Sequence, residues 1–229
     1  MAFLTSLLEC VIGHLLYRFR ARDAKLFTAT PPFAAHPEST IPIYSPEYGQ
    51  SSEQPSSTPM DAQHTQVGAN RFPALTWSVP VELEGRVKEW LLVVEDPDAP
   101  LPRPVVHGLY YAIAASNVSL NHADFEVVDE HGEGEHTESK ANSTLLKGGF
   151  RYGQNRPGTV WAGPRPVMGH GPHRYFFQVV GLGQELDWRG IRRTSQSSPL
   201  SREELAMAIE GKVVAWGLWV GTFERHWGS

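Results

Sequence analysis

Two runs decide the fold: residues 90–100 read WLLVVEDPDAP, and residues 163–175 read GPRPVMGHGPHRY. The apolar residues of the first run predict a strand over 87–95 that is buried on both faces. The prolines after it fix a rigid turn, from which one carboxylate can point back into the space that the strand borders. Glycine and proline in the second run predict a stiff, irregular loop that leads into a strand.

More strands are predicted on either side of these runs. Alternating apolar residues predict a half-buried strand over 74–81, and β-branched and aromatic residues predict strands over 107–115, 125–128, 175–180 and 213–223. Ser201 and Glu204 form a capping-box pattern that opens a short helix ending at Gly211. Since strands do not alternate with helices, the pattern predicts a mostly β sandwich with a few peripheral helices.

Three parts are expected along the chain. Residues 1–27 form an N-terminal extension with an amphipathic helix, residues 28–71 form a proline- and serine-rich surface loop, and residues 72–229 form the main domain. The polar loop 129–140 contains two histidines and several carboxylates, and its glycines favour a solvated turn over a metal site.

Apolar residues near the N-terminus recur at three- and four-residue spacing, which places them on one helical face. They are Phe3, Leu4, Leu7, Leu8, Val11, Ile12, Leu15 and Leu16. Basic residues follow this run instead of preceding it, which argues against a signal peptide, and the run is too short to cross a bilayer. We expect a helix packed on its own domain. The alternative is a helix that lies on a membrane surface or against a partner, which its basic C-terminal end would favour.

Composition excludes some classes of protein. The net charge of -5 argues against nucleic acid as a partner. Cys10 is the single cysteine, so no intramolecular disulfide can form, and a reducing, cytoplasmic location is expected. No serine lies in a nucleophile-elbow motif and Cys10 is far from both runs, which argues against a hydrolase.

The two runs carry a family resemblance. The Asp-Pro-Asp-Ala-Pro turn before His107, and the glycine-rich loop before His173-Arg174-Tyr175, resemble the two signature regions of the phosphatidylethanolamine-binding protein family, which includes the Raf kinase inhibitor proteins. The run WGLWVGTFER at 216–225 is similar to fungal members. The likeness covers roughly residues 72–225, and it implies two antiparallel sheets packed face to face with a small cavity near one end.

The resemblance also implies which residues line that cavity. The implied ligand-binding residues are Asp96, Pro100, His107, Pro166, His173 and Tyr175, with backbone from Gly163 to Gly171 as the remaining wall. Around the pocket the chain departs from the usual residues of the family at Gly108, Ala112, Trp161 and Arg165, so the ligand itself is left open.

Two imidazoles beside a carboxylate predict a pocket whose charge responds to pH near neutrality. A phosphate or carboxylate could accept hydrogen bonds from both histidines, from Tyr175 and from backbone N–H groups, while Asp96 orients an imidazole and favours its protonated form. Arg174 is expected to be structural and to pair with a carboxylate such as Asp98. Two histidines and a carboxylate also form a facial metal-ligand set, but the ligand spacing of many metal motifs is missing, so no metal and no cofactor is expected.

Two functions remain open. The leading interpretation is a non-catalytic protein that binds phospholipid headgroups or other small anions and regulates a partner protein. The alternative is a cofactor-independent enzyme in which Asp96, His107, His173 and Tyr175 move protons during a cyclisation, epimerisation or dehydration of a small metabolite. A narrow pocket sized for one phosphate would favour the binder, and a deep, aromatic-lined cavity of several hundred Å³ would favour the enzyme.

Overall fold

The computed structural model describes residues 2–49, 57–129, 143–195 and 199–227. A six-stranded sheet contains, in spatial order, β2 (Thr58–Pro59), β9 (Val213–Phe223), β8 (His173–Leu182), β4 (Glu89–Asp96), β5 (Val105–Ala114) and β7 (Arg151–Tyr152). A three-stranded sheet contains β1 (Ile43–Tyr44), β3 (Leu75–Trp77) and β6 (Ser119–Leu120). The strand pairs are antiparallel except β2 with β9. The α-helices are α1 (Ala2–Leu16), α2 (Trp188–Thr194) and α3 (Arg202–Ala208). The mostly β, two-sheet prediction is confirmed.

Strand β4 is buried on both faces, as its unbroken apolar run predicted. Trp90, Leu92 and Val94 belong to the core cluster that also contains residues of the three-stranded sheet. Leu91 and Val93 face the opposite side, where they pack in a second cluster that includes residues of α3. The same alternation sends the last two acidic residues of the strand to different sides of the sheet.

An irregularity in β5 directs His107 toward the face of the six-stranded sheet that packs against the three-stranded sheet. Gly108 pairs with Val94 and Val106 pairs with Glu95, which leaves His107 as an extra residue without a Cα partner on β4. Leu109 packs in the second cluster, on the side of the sheet that faces away from the three-stranded sheet. If side chains alternated strictly along β5, His107 would point to that same side. The bulge reverses this direction, as bulges near functional sites often do.

Several local predictions need correction. Residues 122–125 form a 3-10 helix capped by Asn121 and Asp124 instead of opening a strand, and Val127 forms only an isolated bridge with Leu146. Helix α2 was not predicted, and the strand expected over 74–81 is the shorter β3. The capping box of Ser201 and Glu204 is present at the start of α3. The polar loop was predicted over 129–140, and all of it except residue 129 lies outside the described residues.

The proline-rich segment 28–71 was predicted to cross the surface as a loop, and the structure places parts of it inside. It supplies β1 and β2, and it buries Phe33, Ile41 and Met60. Its apolar residues are inserted singly between prolines, so they have no helical or strand period that the sequence could reveal.

Helix α1 is present as predicted, but the expectation that its apolar face packs on the domain is wrong. Leu4, Leu8 and Leu15 are 72%, 61% and 73% exposed. The helix approaches the glycine-rich loop through Gly13, where an added Cβ would lie 2.0 Å from the Met168 carbonyl oxygen. Such close contact requires glycine, so the attached face is small and the aliphatic face is left in solvent. Among the helices described, none is long and apolar enough to span a membrane.

Candidate functional site

A cavity of about 530 Å³ opens where β4 ends and β5 and β8 begin, with the glycine-rich loop as its remaining wall. It brings together the predicted residues Asp96, Pro100, His107, Pro166, His173 and Tyr175. Gly163 and Gly171 do not line it. The Gly163 N–H donates to the Asn70 side chain at 2.9 Å, and Gly171 lies against the side chains of Tyr17 and Arg20, which follow α1.

The Asp96 carboxylate accepts hydrogen bonds from the turn that follows β4, and these bonds fix its position. Oδ1 accepts hydrogen bonds from the backbone N–H groups of Asp98 and Ala99, at 2.7 and 3.0 Å. Oδ2 lies 2.8 Å from Nδ1 of His173. The Asp-Pro-Asp turn therefore holds the Asp96 carboxyl group at the base of the pocket.

His173 is engaged at both ring nitrogens. Nδ1 contacts Asp96, and Nε2 lies 2.8 Å from Nδ1 of His170. Nε2 of His170 in turn lies 2.9 Å from the carbonyl oxygen of Leu16, in the last turn of α1. A chain of hydrogen bonds therefore runs from the pocket carboxylate through two imidazoles to the N-terminal helix.

The hydrogen-bond donors and acceptors in this series of contacts set its overall charge. Three contacts join the Asp96 carboxyl group, His173, His170 and the Leu16 carbonyl oxygen, and each contact needs one proton. Two neutral imidazoles supply two of these protons, and the third balances the charge of one carboxylate. Asp96, His173 and His170 together therefore carry no net charge. Burial lowers the pKa of His170, which disfavours a second proton on that ring.

His107 has a different arrangement. Its Nδ1 donates to the Ala162 carbonyl oxygen at 2.5 Å, while Nε2 lies 4.0 Å from Asp96 Oδ2, beyond hydrogen-bonding distance. Burial lowers the pKa of His107, against the opposing effect of the Asp96 charge. Near pH 7 this ring is therefore neutral, and its Nε2 lone pair is available to a ligand.

Tyr175 contributes a hydroxyl with no hydrogen-bond partner in the described part of the chain. Its ring is completely buried and stands edge-on to His107, with ring centroids 5.0 Å apart. Burial, together with the charges of Asp96 and Asp98, raises the pKa of Tyr175 well above its usual value. The hydroxyl consequently stays protonated and can donate to a ligand.

Two arginines on the wall of the cavity were not predicted as site residues. Arg156 and Arg165 are exposed, and neither forms an ion pair with any described residue. In the sequence, Arg165 is distinguished only as a departure from the family pattern. His170 was missed too, although a second histidine three residues before His173 was a visible signal.

Arg174 has the structural role that was predicted. Its guanidinium contacts both Asp98 oxygens, at 2.8 and 2.9 Å, and also pairs with Asp23 in the N-terminal extension. Although burial alone would raise it, the pKa of Asp98 falls to about 2 because of the hydrogen bonds from Arg174 and Ala21. This cluster fastens the turn after β4 to β8 and to the extension.

Metal coordination finds no support in the part of the chain that the structure describes, where no group of three or more His, Cys, Asp or Glu side chains is arranged to hold an ion. Asp96, His107 and His173 do share the pocket. However, both nitrogens of His173 are already occupied by protein partners.

The fold and the site define a class of protein: a single-domain β-sandwich whose pocket contains a carboxylate and two imidazoles. The chain belongs to the phosphatidylethanolamine-binding protein family, whose model matches residues 35–224. The match begins before the segment 72–225 in which the resemblance was recognised, so it includes much of the proline-rich segment.

The chain is similar over nearly its whole length to proteins called phomoidride biosynthesis cluster protein B. It is 37% identical to one from a fungal species, over 99% of both chains, and 37% identical to one from Talaromyces stipitatus, over 99% of this chain and 85% of that one. A crystal structure of a putative phosphatidylethanolamine-binding protein homologue from Chlamydia trachomatis has the same fold, with a TM-score of 0.56 and 21% identity over 82% of this chain and 99% of that chain.

Proposed function

We propose that this protein takes part in the biosynthesis of a small organic molecule by binding an anionic intermediate in the pocket of Asp96, His107 and His173. The observation that carries the proposal is the set of groups that the pocket leaves unsatisfied. These are the Tyr175 hydroxyl, Nε2 of His107 and the guanidinium groups of Arg156 and Arg165. The names of the relatives from fungi support a biosynthetic role.

Charge favours an anion despite the presence of Asp96. Because the hydrogen-bonded set of Asp96, His173 and His170 carries no net charge, the charge left at the wall of the cavity is that of Arg156 and Arg165. An organic carboxylate or phosphate would pair with these arginines and accept a hydrogen bond from Tyr175.

Size favours a metabolite over an isolated phosphate group. The cavity of about 530 Å³ falls within the usual range of pockets for small organic ligands. The neutral His107 is placed to accept a proton from such a ligand, and Tyr175 is placed to donate one. We therefore propose acid–base chemistry, of the kind needed for a cyclisation, epimerisation or dehydration, with His107 as the base.

A second candidate is the binding of a phospholipid headgroup with regulation of a partner protein. The phosphate of such a headgroup would meet the same donors as an organic acid. The family description favours this candidate, whereas the size of the cavity favours the metabolite.

Ligand titrations monitored by NMR of the His107 ring distinguish the two candidates. Citrate and malonate serve as carboxylate probes, and phosphoethanolamine serves as the headgroup probe. Tighter binding of the carboxylates supports the proposal, and tighter binding of phosphoethanolamine supports the second candidate. If none of the probes produces saturable shifts of the His107 ring, both candidate functions are rejected.

A pair of arginine variants controls for general electrostatic attraction. Arg156→Gln should weaken citrate binding by roughly tenfold, the effect of losing one charge-assisted hydrogen bond. Arg86→Gln removes an equal charge from an exposed residue that precedes the opposite end of β4 and should leave binding unchanged. Equal losses in both variants would show that the arginines act only through net charge.

For the N-terminal helix, we propose peripheral contact with an anionic membrane surface. The exposed aliphatic face of α1 is followed by the exposed, basic Arg18, the arrangement of helices that lie in a membrane interface. Sedimentation with vesicles of phosphatidylcholine and phosphatidylserine should fall roughly tenfold or more in Leu15→Glu. Val81→Glu is the matched control, since Val81 is 78% exposed elsewhere on the surface. Equal sedimentation of the two variants would overturn the proposal.

A further inference from the structure

A second cavity, of about 770 Å³, adjoins the pocket. Leu101, Val105 and Arg156 line both cavities, so the two spaces meet at these residues. We call the second cavity the side groove. Hydrocarbon side chains form much of its surface: Leu101, Pro102, Pro104, Val105 and Val106.

Apart from Arg156 at the junction with the pocket, the charged groups around the side groove are already paired within the protein. Arg202 contacts Glu95 at 2.5 Å, and Arg103 pairs with Glu203 at 3.2 Å. Lys25 donates to the Pro102 carbonyl oxygen at 2.9 Å. A ligand that enters the groove would gain little from displacing these contacts, because any polar group left behind would lose its partner.

Apart from the exposed Gln154, the neutral polar groups follow the same pattern. The side-chain amide of Asn155 donates to the His107 carbonyl oxygen, and the Ser201 hydroxyl donates to Glu204. The Thr30 hydroxyl donates to the Phe27 carbonyl oxygen. Since these groups are satisfied, what the groove offers a ligand is mainly apolar surface.

Polarity therefore changes at the junction of the two cavities. On one side lie the unsatisfied donors of the pocket, with Arg156 at the boundary, and on the other side lies the hydrocarbon of the side groove. We infer that the ligand is amphiphilic: a carboxylate head occupies the pocket, and an unbranched aliphatic chain lies along the side groove. This inference rests on the proposed function of the pocket and adds the class of its substrate.

The inference predicts how affinity depends on chain length. Butanoate, hexanoate, octanoate and decanoate present the same head with a growing chain. Each methylene group that enters the groove should tighten binding roughly three- to fourfold, the ordinary gain for burying one such group. The dissociation constants are measured from NMR shifts of the His107 ring and of the Val106 methyl groups.

A plugging variant shows where the chain lies. Gln154 is exposed and lines the side groove, so Gln154→Trp should fill the groove and abolish the dependence on chain length, while butanoate still binds. The control is Gln184→Trp, which places the same ring on an exposed turn outside the groove and should behave as the unmodified protein. A chain-length dependence that survives in Gln154→Trp, or affinities that do not change with length, would overturn the inference.

The proposed function and this inference fail in different ways. If no carboxylate shifts the His107 ring, the proposed function fails, and octanol, which has no charged head, then tests the groove directly. Shifts of the Val106 methyl groups that saturate with octanol and disappear in Gln154→Trp would support an apolar site. Their absence would reject it.

Discussion

The pocket has two walls, each with a histidine, and the two histidines are held in opposite ways. On the β8 wall, His173 is bound at both nitrogens, by Asp96 and by His170, and through His170 it is tied to α1. On the β5 wall, His107 is bound at one nitrogen and presents the other to the cavity. The same residue type is therefore bound into one wall of the pocket and open to the cavity on the other wall, and the partner of the second nitrogen makes the difference.

Asp96→Ala should have the largest effect, because it removes the anchor of the β8 wall. The variant leaves Nδ1 of the buried His173 and two backbone N–H groups without their partner, which should lower the free energy of unfolding by about 3–5 kcal/mol. Urea denaturation at neutral pH measures this change. Asp61→Ala, at an exposed carboxylate, should cost less than about 0.5 kcal/mol, and a similar loss in both variants would contradict the structural role of Asp96.

His107→Gln should separate the two walls. Glutamine can still donate to the Ala162 carbonyl, but it cannot become a cation, so citrate binding below about pH 6 should weaken by roughly ten- to a hundredfold while stability changes little. His173→Gln should do the reverse and mainly reduce stability. Calorimetric titration and urea denaturation of both variants check the contrast, which would be lost if both variants had the same profile.

His170→Phe tests the connection between the β8 wall and the helix. Phenylalanine fills a similar space but leaves the Nε2 proton of His173 without an acceptor, which should cost about 1–3 kcal/mol of stability. His170→Gln offers both an acceptor and a donor and should recover most of this loss. If phenylalanine and glutamine cost the same, the hydrogen-bond chain contributes no stability.

The pH dependence of anion binding should reflect His107 alone. Burial lowers its pKa below the usual value of about 6.5, so the ring gains a proton, and with it affinity for anions, only as the pH falls below that value. Sulfate keeps its charge in this range, and its affinity should rise between about pH 6.5 and about pH 5. The sequence predicted a pocket whose charge responds to pH near neutrality, and the burial of His107 moves the expected response to lower pH. An equal rise in His107→Gln would exclude this explanation.

The same shift in pKa has a consequence of opposite sign for stability. Because the folded state holds His107 neutral, the unfolded chain binds the proton more readily. The stability that this residue supports is present above about pH 6.5 and is lost as the pH falls. Unfolding free energies at several pH values in the absence of anions should show this decrease, and the decrease should be smaller in His107→Gln.

The sequence by itself determined the framework and most of the pocket. The apolar run of β4 required burial on both faces, and the proline turn after it fixed Asp96 at the end of a central strand. β-branched and aromatic residues located β5, β8 and β9, and the two motifs supplied six residues that line one cavity. These signals are local, because strand period, turn chemistry and capping depend on neighbouring residues.

Tertiary structure decided the rest, because it depends on contacts between distant segments. The bulge that turns His107 inward follows from the register between β4 and β5, and the hydrogen bonds of His173 connect β4 with α1 through His170. The sequence predicted the exposed face of α1 only as the alternative, since an amphipathic pattern predicts burial on average, and here Gly13 attaches the helix by its other side. The side groove joins segments that lie far apart in the chain, from Lys25 to Glu203, and no local pattern in the sequence records their meeting.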